Sequence, residues 1–276
     1  MIDIIYAGND LMFDGVLLST LSMLRRTKED IHIHFFTMDF TEKHEKFKAF
    51  RQDQADFLEK ELRKYNPNFK FDIVDCTEAY NKLLKDNKNE KPVYSPYCTL
   101  RLLADQFDEL QGKIIYLDTD TMLYGDVKEL YDIDMTGLEF RASHDYMGRR
   151  WIKRDYINSG ILLLNMDVIR ETKLLEKCRY LVKTKKMYFT DQTALYKSKI
   201  HFEYFPDEYR FNEQRNVKPN TVVKHFCKGI KWFPFKVYNV KQWEIDKVHS
   251  YLKIHDFDED FEIYKEIKQR SNKKSS

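Results

Sequence analysis

Lys113-Ile114-Ile115-Tyr116-Leu117-Asp118-Thr119-Asp120 decides how this chain is read. An apolar strand runs into two aspartates, two residues apart, at its C-terminal end. If the backbone stays extended, both side chains point to one face, with Cα atoms roughly 6.6 Å apart. One divalent cation with oxygen bonds near ~2.1 Å then fits between the carboxylates. Two like charges held that close call for a cation or a proton. Open parallel sheets bind ligands beyond the carboxyl ends of their strands, so the position suits a site. The same spacing recurs at Asp132/Asp134, Asp256/Asp258 and Asp258/Asp260, in polar surroundings where solvated side chains are expected.

Toward the N-terminus, Ile2–Ala7 is short and apolar and reads as a buried strand. Gly8-Asn9-Asp10 breaks it. Asp14 then offers a cap for a helix with Val16, Leu17, Leu21 and Leu24 on its apolar face. Ile31–Thr37 alternates like a second strand. A long charged helix is expected over Glu42–Tyr65, with Phe47, Phe50, Phe57, Leu58 and Leu62 inward, followed by a strand at Phe69–Val74. Strand, helix, strand, helix, strand implies a parallel sheet with right-handed crossovers. Toward the C-terminus, Thr99–Leu110 reads as a helix and Ile161–Met166 as an apolar strand. Asp191–Tyr196 starts a helix, and Thr221–Phe226 forms a late strand. From Asp256 the chain is acidic and then basic, which reads as a fraying or surface-helical charged tail, 256–276, after a single α/β domain, 1–255.

Lysine and arginine total 47 against 45 acidic residues, a net charge of +2, which gives no case for nucleic-acid binding. Cys76, Cys98, Cys178 and Cys227 form no C-x-x-C pair, so a cysteine zinc site is not indicated. Met1 leads into Ile2–Tyr6 without a basic leader, and no run reaches the ~18 apolar residues of a membrane span. A cytoplasmic protein with reduced thiols is the expectation. Lys265, Lys268, Arg270, Lys273 and Lys274 offer at most a weak peripheral contact with an anionic membrane.

Seven ordered blocks resemble glycosyltransferase family 8, over about Ile2 to Trp232. They are Tyr6-Ala7-Gly8-Asn9-Asp10, Ser95 with Arg101-Leu102, and Leu117-Asp118-Thr119-Asp120. Asp145, Asn158-Ser159-Gly160, Asp191-Gln192 and His225-Phe226-Cys227-Lys228-Gly229-Ile230-Lys231-Trp232 complete the set. The resemblance implies a GT-A-type nucleotide-sugar domain with a mixed, mainly parallel sheet flanked by helices. It implies that Ala7 and Asn9 contact uridine, that Arg101 faces the donor's phosphates or sugar, and that Thr119 belongs to the donor motif. Asp118, Asp120 and His225 become the metal ligands. Asp145, Asn158, Ser159 and Gly160 contact the transferred sugar. Asp191 and Gln192 lie beside the anomeric carbon, and Gly229 and Lys231 hold the diphosphate. The sequence departs from the family pattern at Leu11 and Met12, where Asn and an aromatic are usual. Thr193 replaces a frequent Asp, Gly229 stands one position late, and Trp232 stands where Pro is usual.

The same residues suit the chemistry. Breaking a C1–O bond in a nucleoside-diphosphate sugar leaves a diphosphate that must be neutralised. Two carboxylates and an imidazole suit Mn²⁺ better than Mg²⁺. The resemblance thus implies a metal-dependent, retaining hexosyltransferase moving galactose or glucose from a UDP-sugar to a glycan or glycolipid acceptor. Gln192, a neutral amide, is a poor nucleophile, which favours same-face attack. A nucleotide-sugar-binding protein without catalysis and a self-glycosylating primer protein are the alternatives.

Overall fold

The computed structural model describes residues 1–90, 95–232 and 235–274; the side chains of residues 231, 232, 235 and 272–274 lie outside the description. Among the described residues the strands are β1 (Ile2–Ala7), β2 (Ile31–Thr37), β3 (Lys70–Asp75), β4 (Lys113–Leu117), β5 (Thr121–Leu123) and β6 (Phe140–His144). They continue with β7 (Ile157–Asn165), β8 (Phe202–Tyr204), β9 (Val223–His225), β10 (Gly229–Trp232) and β11 (Phe235–Tyr238). Seven make one sheet, ordered β3-β2-β1-β4-β7-β6-β8. β7 is antiparallel to both its neighbours, and every other pairing is parallel. This is the mixed, mainly parallel sheet flanked by helices that the sequence implies.

The central strands are apolar on both sides because both faces are covered. Ile2, Ile4 and Tyr6 of β1 enter one core cluster, with the helix Phe13–Leu24; Ile5 enters the other, with the 3-10 helix Pro96–Gln106. Because β7 runs the opposite way, its first residues lie beside the C-terminal end of β4, with Leu117 paired to Ile161. A small β5–β9 sheet then pairs Thr121 with His225. Those two pairings assemble the site described below.

Several elements differ from expectation. The helix predicted over Glu42–Tyr65 occupies only Gln52–Leu62. The preceding residues fold back over the end of β1, where Lys46 O accepts from Asn9 Nδ2 and Lys48 O from the Asp10 N–H. Phe47 and Phe50 pack on Phe40 and Phe35 from this loop; their apolar spacing mimics a helix face. The predicted helix at Thr99–Leu110 is a 3-10 helix over Pro96–Gln106, capped by Ser95 Oγ, which accepts from the Tyr97 N–H. Asp14 lies inside the first turn of its helix and pairs with Lys268 instead of capping.

The charged segment after Asp256 carries the helix Asp258–Lys274. Phe257, Phe261, Tyr264 and Ile267 join the core cluster of the N-terminal helix. Asp260 is fully buried and bridges Arg25 and Arg26 at 2.6 and 2.8 Å, so the expectation of a solvated carboxylate there is corrected. The alternating charges read as surface because the apolar positions between them are sparse. Lys265, Lys268 and Arg270 pair with Glu262, Asp14 and Glu61. That leaves less free charge for a membrane than the sequence count suggests; the side chains of Lys273 and Lys274 lie outside the described residues. Phe261→Ala, at a position 1% exposed, is expected to cost about 3–5 kcal/mol, read by urea denaturation.

Candidate active site

Asp118 leaves β4 with its backbone N–H donating to Gly160 O at 2.7 Å. Beyond it the chain turns, so the extended spacing assumed from sequence is not what aligns the two aspartates. The β5–β9 pairing aligns them instead. It sets His225 opposite Thr121, and Asp120 O accepts from the Phe226 N–H at 2.7 Å. His225 Nε2 lies 3.2 Å from Asp120 Oδ1 and 3.7 Å from Asp118 Oδ2. The three donor groups fall within 4.8 Å of one another.

Each carboxylate is held by one oxygen and presents the other to the centre. Asp118 Oδ1 accepts from Arg101 Nη2 at 2.8 Å and from the Tyr116 hydroxyl at 2.9 Å. Asp120 Oδ2 accepts from Lys241 Nζ. Burial alone would raise the Asp120 carboxyl, but Lys241 and His225 outweigh it and hold it well below the usual carboxylate range. His225 Nδ1 is buried without a hydrogen-bond partner. Two oriented carboxylates and the His225 Nε2 that faces them fit a divalent cation of the Mn²⁺ or Mg²⁺ type. Gly160 makes the close packing possible: a Cβ there would lie 2.2 Å from His225 Cε1 and 2.8 Å from Asp118 Oδ2.

The predicted sugar-facing residues adjoin this centre. Asn158, Ser159 and Gly160 lie within β7, not in a turn before a strand starting at Ile161; β7 is longer than its apolar run. Asn158 Nδ2 donates to Asp145 Oδ2 at 2.9 Å, and its Oδ1 accepts from the Gly160 N–H and from Asn212 Nδ2, both at 3.0 Å. Asp191 and Gln192 sit in the first turn of the helix Thr190–Ser198. Gln192 Oε1 accepts from the Ser159 N–H at 3.1 Å, and Ser159 Oγ donates to Asp191 Oδ2 at 3.2 Å.

Arg101 links the two halves. Its Nη1 donates to Ser159 O, its Nε lies 3.2 Å from Asp191 Oδ2, and its guanidinium stands over the Tyr116 ring. It is 5% exposed, so it braces both acids from beneath where the resemblance implies a fork facing the donor. Its buried charge is compensated by the Asp118 and Asp191 carboxylates.

At the end of β1, where the resemblance implies a nucleoside, Ala7 is the last strand residue and Asn9 is buried, its amide nitrogen tied to Lys46 O. Thr119 Oγ1 donates to Met12 Sδ at 3.5 Å, so Met12 packs on the donor motif while Leu11 faces solvent. Gly229 begins the β10–β11 hairpin, where a Cβ would lie 2.3 Å from the Tyr238 ring. Lys231 lies in β10, and its side chain is outside the described residues.

The sequence profile described as Glycosyl transferase family 8 matches residues 3–233. The chain belongs to glycosyltransferase family 8. A lipopolysaccharide 1,3-galactosyltransferase of Salmonella typhimurium is 23% identical over 259 residues, 83% of this chain and 72% of that one. A putative glycosyltransferase of Haemophilus influenzae is 26% identical over 49% of this chain and 50% of its own. Among solved structures, the galactosyltransferase LgtC in complex with donor and acceptor sugar analogs superposes with a TM-score of 0.66 at 18% identity, covering 96% of each chain. These likenesses establish a GT-A-type fold, and family membership makes the chain a glycosyltransferase. No helix among the described residues is long and apolar enough to cross a membrane.

This family 8 chain also carries residues that the motif blocks did not reveal. Lys241 binds Asp120 and Phe226 O, and Gln242 Nε2 donates to Thr119 O at 2.7 Å. Trp243 packs on Gly15. The segment 241–243 therefore clamps the Asp118–Asp120 turn from a part of the chain beyond all seven blocks. Asn212 was equally silent, having no motif around it. Arg101→Lys is expected to lower the transfer rate about 100-fold with a small change in donor KM, because one ammonium cannot hold both acids. Steady-state kinetics on the two proteins check this.

Proposed function

We propose that this family 8 enzyme is a retaining hexosyltransferase that moves galactose or glucose from a UDP-sugar onto a glycan or glycolipid acceptor in the cytoplasm. The observation that carries this reading is the convergence of Asp118, Asp120 and His225 beside the Asp145–Asn158 and Asp191–Gln192 groups. Asp118 Oδ2, Asp120 Oδ1 and the His225 imidazole would hold the cation, Mn²⁺ in preference to Mg²⁺. Bound there, it supplies Lewis-acid neutralisation of the leaving diphosphate. Lys231 would add positive charge to the same group. Asp145 and Asn158 offer acceptors and donors to sugar hydroxyls. Asp191, oriented by Arg101 and Ser159, stabilises positive charge at C1 through space. Gln192, whose Oε1 is directed at the Ser159 N–H, orients the acceptor hydroxyl. With a neutral amide there, the acceptor attacks from the face the diphosphate leaves, and a phosphate oxygen takes its proton.

Leu11, Met12 and Gly229 favour a second reading, a nucleotide-sugar-binding protein without turnover, since they alter the nucleoside and diphosphate ends. Incubating the protein with Mn²⁺ and a panel of UDP-sugars separates the two. Release of UDP from one donor, with the product anomer retained by NMR, supports transfer; tight binding without release from any donor or onto any offered glycan supports the second reading.

A further inference from the structure

A second cluster of metal-ligating side chains lies at the opposite end of the sheet. Asp3 of β1 pairs in register with His32 of β2, and His34 of β2 pairs with Asp72 of β3. All four project from the face that carries Ile5, Phe36 and Val74 further along the same strands. This row is about 13 Å from Ala7 along β1 and is separate from the donor site.

Both imidazoles address one oxygen. His34 Nε2 lies 2.8 Å and His32 Nδ1 3.3 Å from Asp3 Oδ1. The other nitrogen of His32, Nε2, lies 2.7 Å from Asp72 Oδ2. A neutral His32 carries one N–H. If Nε2–H donates to Asp72, the Nδ1 lone pair points at a carboxylate oxygen, which is repulsive unless His32 carries a second proton or a cation stands between them. The ring centroids of His32 and His34 are 4.1 Å apart, so charging both imidazoles would bring two like charges together. A single proton on His32 satisfies these contacts in the absence of metal, and a divalent cation can take that proton's place. The cation takes the Nδ1 lone pair of His32, the Nε2 lone pair of His34 and one Asp3 oxygen.

We propose that Asp3, His32 and His34 form a second metal site, of zinc type, with Asp72 orienting His32 from the outer shell. A tetrahedral zinc with bonds near ~2.0 Å separates its donors by roughly 3.3 Å; the His32 nitrogen already stands at that distance from Asp3 Oδ1, and the His34 nitrogen, at 2.8 Å, opens by about half an ångström to admit the ion. A carboxylate on the distal nitrogen of a ligating histidine is the usual outer-shell partner of such sites. His34 is buried, while Asp3 is 36% and Asp72 64% exposed, so the ion enters from solvent and water fills its fourth position. The ion cross-links β1 and β2 and, through Asp72, β3. Its role is structural, and it stands apart from the transferase reading.

Zinc titration by calorimetry tests this, using metal-stripped Asp120→Ala protein so that the donor site does not contribute. Expected are one zinc equivalent and a zinc-dependent rise in Tm, both lost on adding His32→Gln. In a parallel Asp72→Asn variant, at an exposed position that leaves folding intact, affinity falls about 10–100-fold. In the otherwise natural protein, His32→Gln is expected to leave UDP release unchanged. Zinc binding that persists undiminished in both variants, or no zinc binding before either change, overturns the proposal.

Discussion

Asp120→Ala is expected to lower the rate of UDP release by roughly 10²–10³-fold or more, the scale of losing one preorganised electrostatic partner of a leaving group. Asp120 presents one oxygen to His225 and anchors the other on Lys241, so its removal would delete a proposed metal ligand and leave the Lys241 ammonium without its carboxylate. The unpaired lysine carries a stability cost as well. Breaking a fully buried pair costs about 3–5 kcal/mol. Lys241 keeps 22% of its side chain exposed, which reduces the expected loss to about 1–3 kcal/mol. The double change Asp120→Ala with Lys241→Met is expected to recover that stability and none of the activity. Chemical denaturation and UDP release, measured together on the three proteins, separate ligand loss from unfolding.

Gly160→Ala is the second large effect. The added methyl would sit 2.2 Å from His225 Cε1 and 2.8 Å from Asp118 Oδ2, far inside contact distance. Asp118 does not yield freely, being tied to Arg101 and Tyr116 and, through its N–H, to the Gly160 carbonyl. His225 must therefore move out of reach of Asp120. A displacement of about 1 Å at a reacting centre costs on the order of 100-fold in rate. Overpacking costs about 1–3 kcal/mol in stability. The expected signature is a folded protein with weakened metal-dependent UDP binding and a rate loss beyond its stability loss. A variant with unchanged rate would show that Gly160 is not packed against His225 in the working enzyme.

The parts of the site that could be read from sequence were those set by local pattern. The run Ile114–Asp120 announced a buried strand ending in carboxylates, and that strand does deliver Asp118. The chain order of the blocks carried Asn158, Asp191, Gln192 and His225 to the same place, although nothing in their local sequence says which sheet edge they reach. Long-range pairings were not legible. The β5–β9 bridge that aligns His225 depends on two three-residue strands, too short to stand out. Lys241 reaches Asp120 across 121 positions of chain. Arg101 looked like a cation for phosphate because sequence shows its type, whereas burial and its contacts with Asp118, Asp191 and the Ser159 and Cys98 carbonyls show it bracing the site. The residues from 42 to 50 failed for the opposite reason: the Phe spacing matched a helix, but tertiary contacts with Asn9 and Asp10 took those backbone groups. The surface helix that was one reading of the tail does form, but its charge hid how it docks, through Phe261, Tyr264 and Ile267, the preceding Phe257 and the buried Asp260.

The most direct test of the central claim is calorimetric binding of UDP with Mn²⁺ or with chelator, for the natural protein and for Asp120→Ala. The account predicts UDP binding that requires Mn²⁺ and disappears in the variant. Binding of equal strength with chelator, or undiminished binding by Asp120→Ala, would contradict the assignment of Asp118, Asp120 and His225 as the centre that holds the donor's diphosphate.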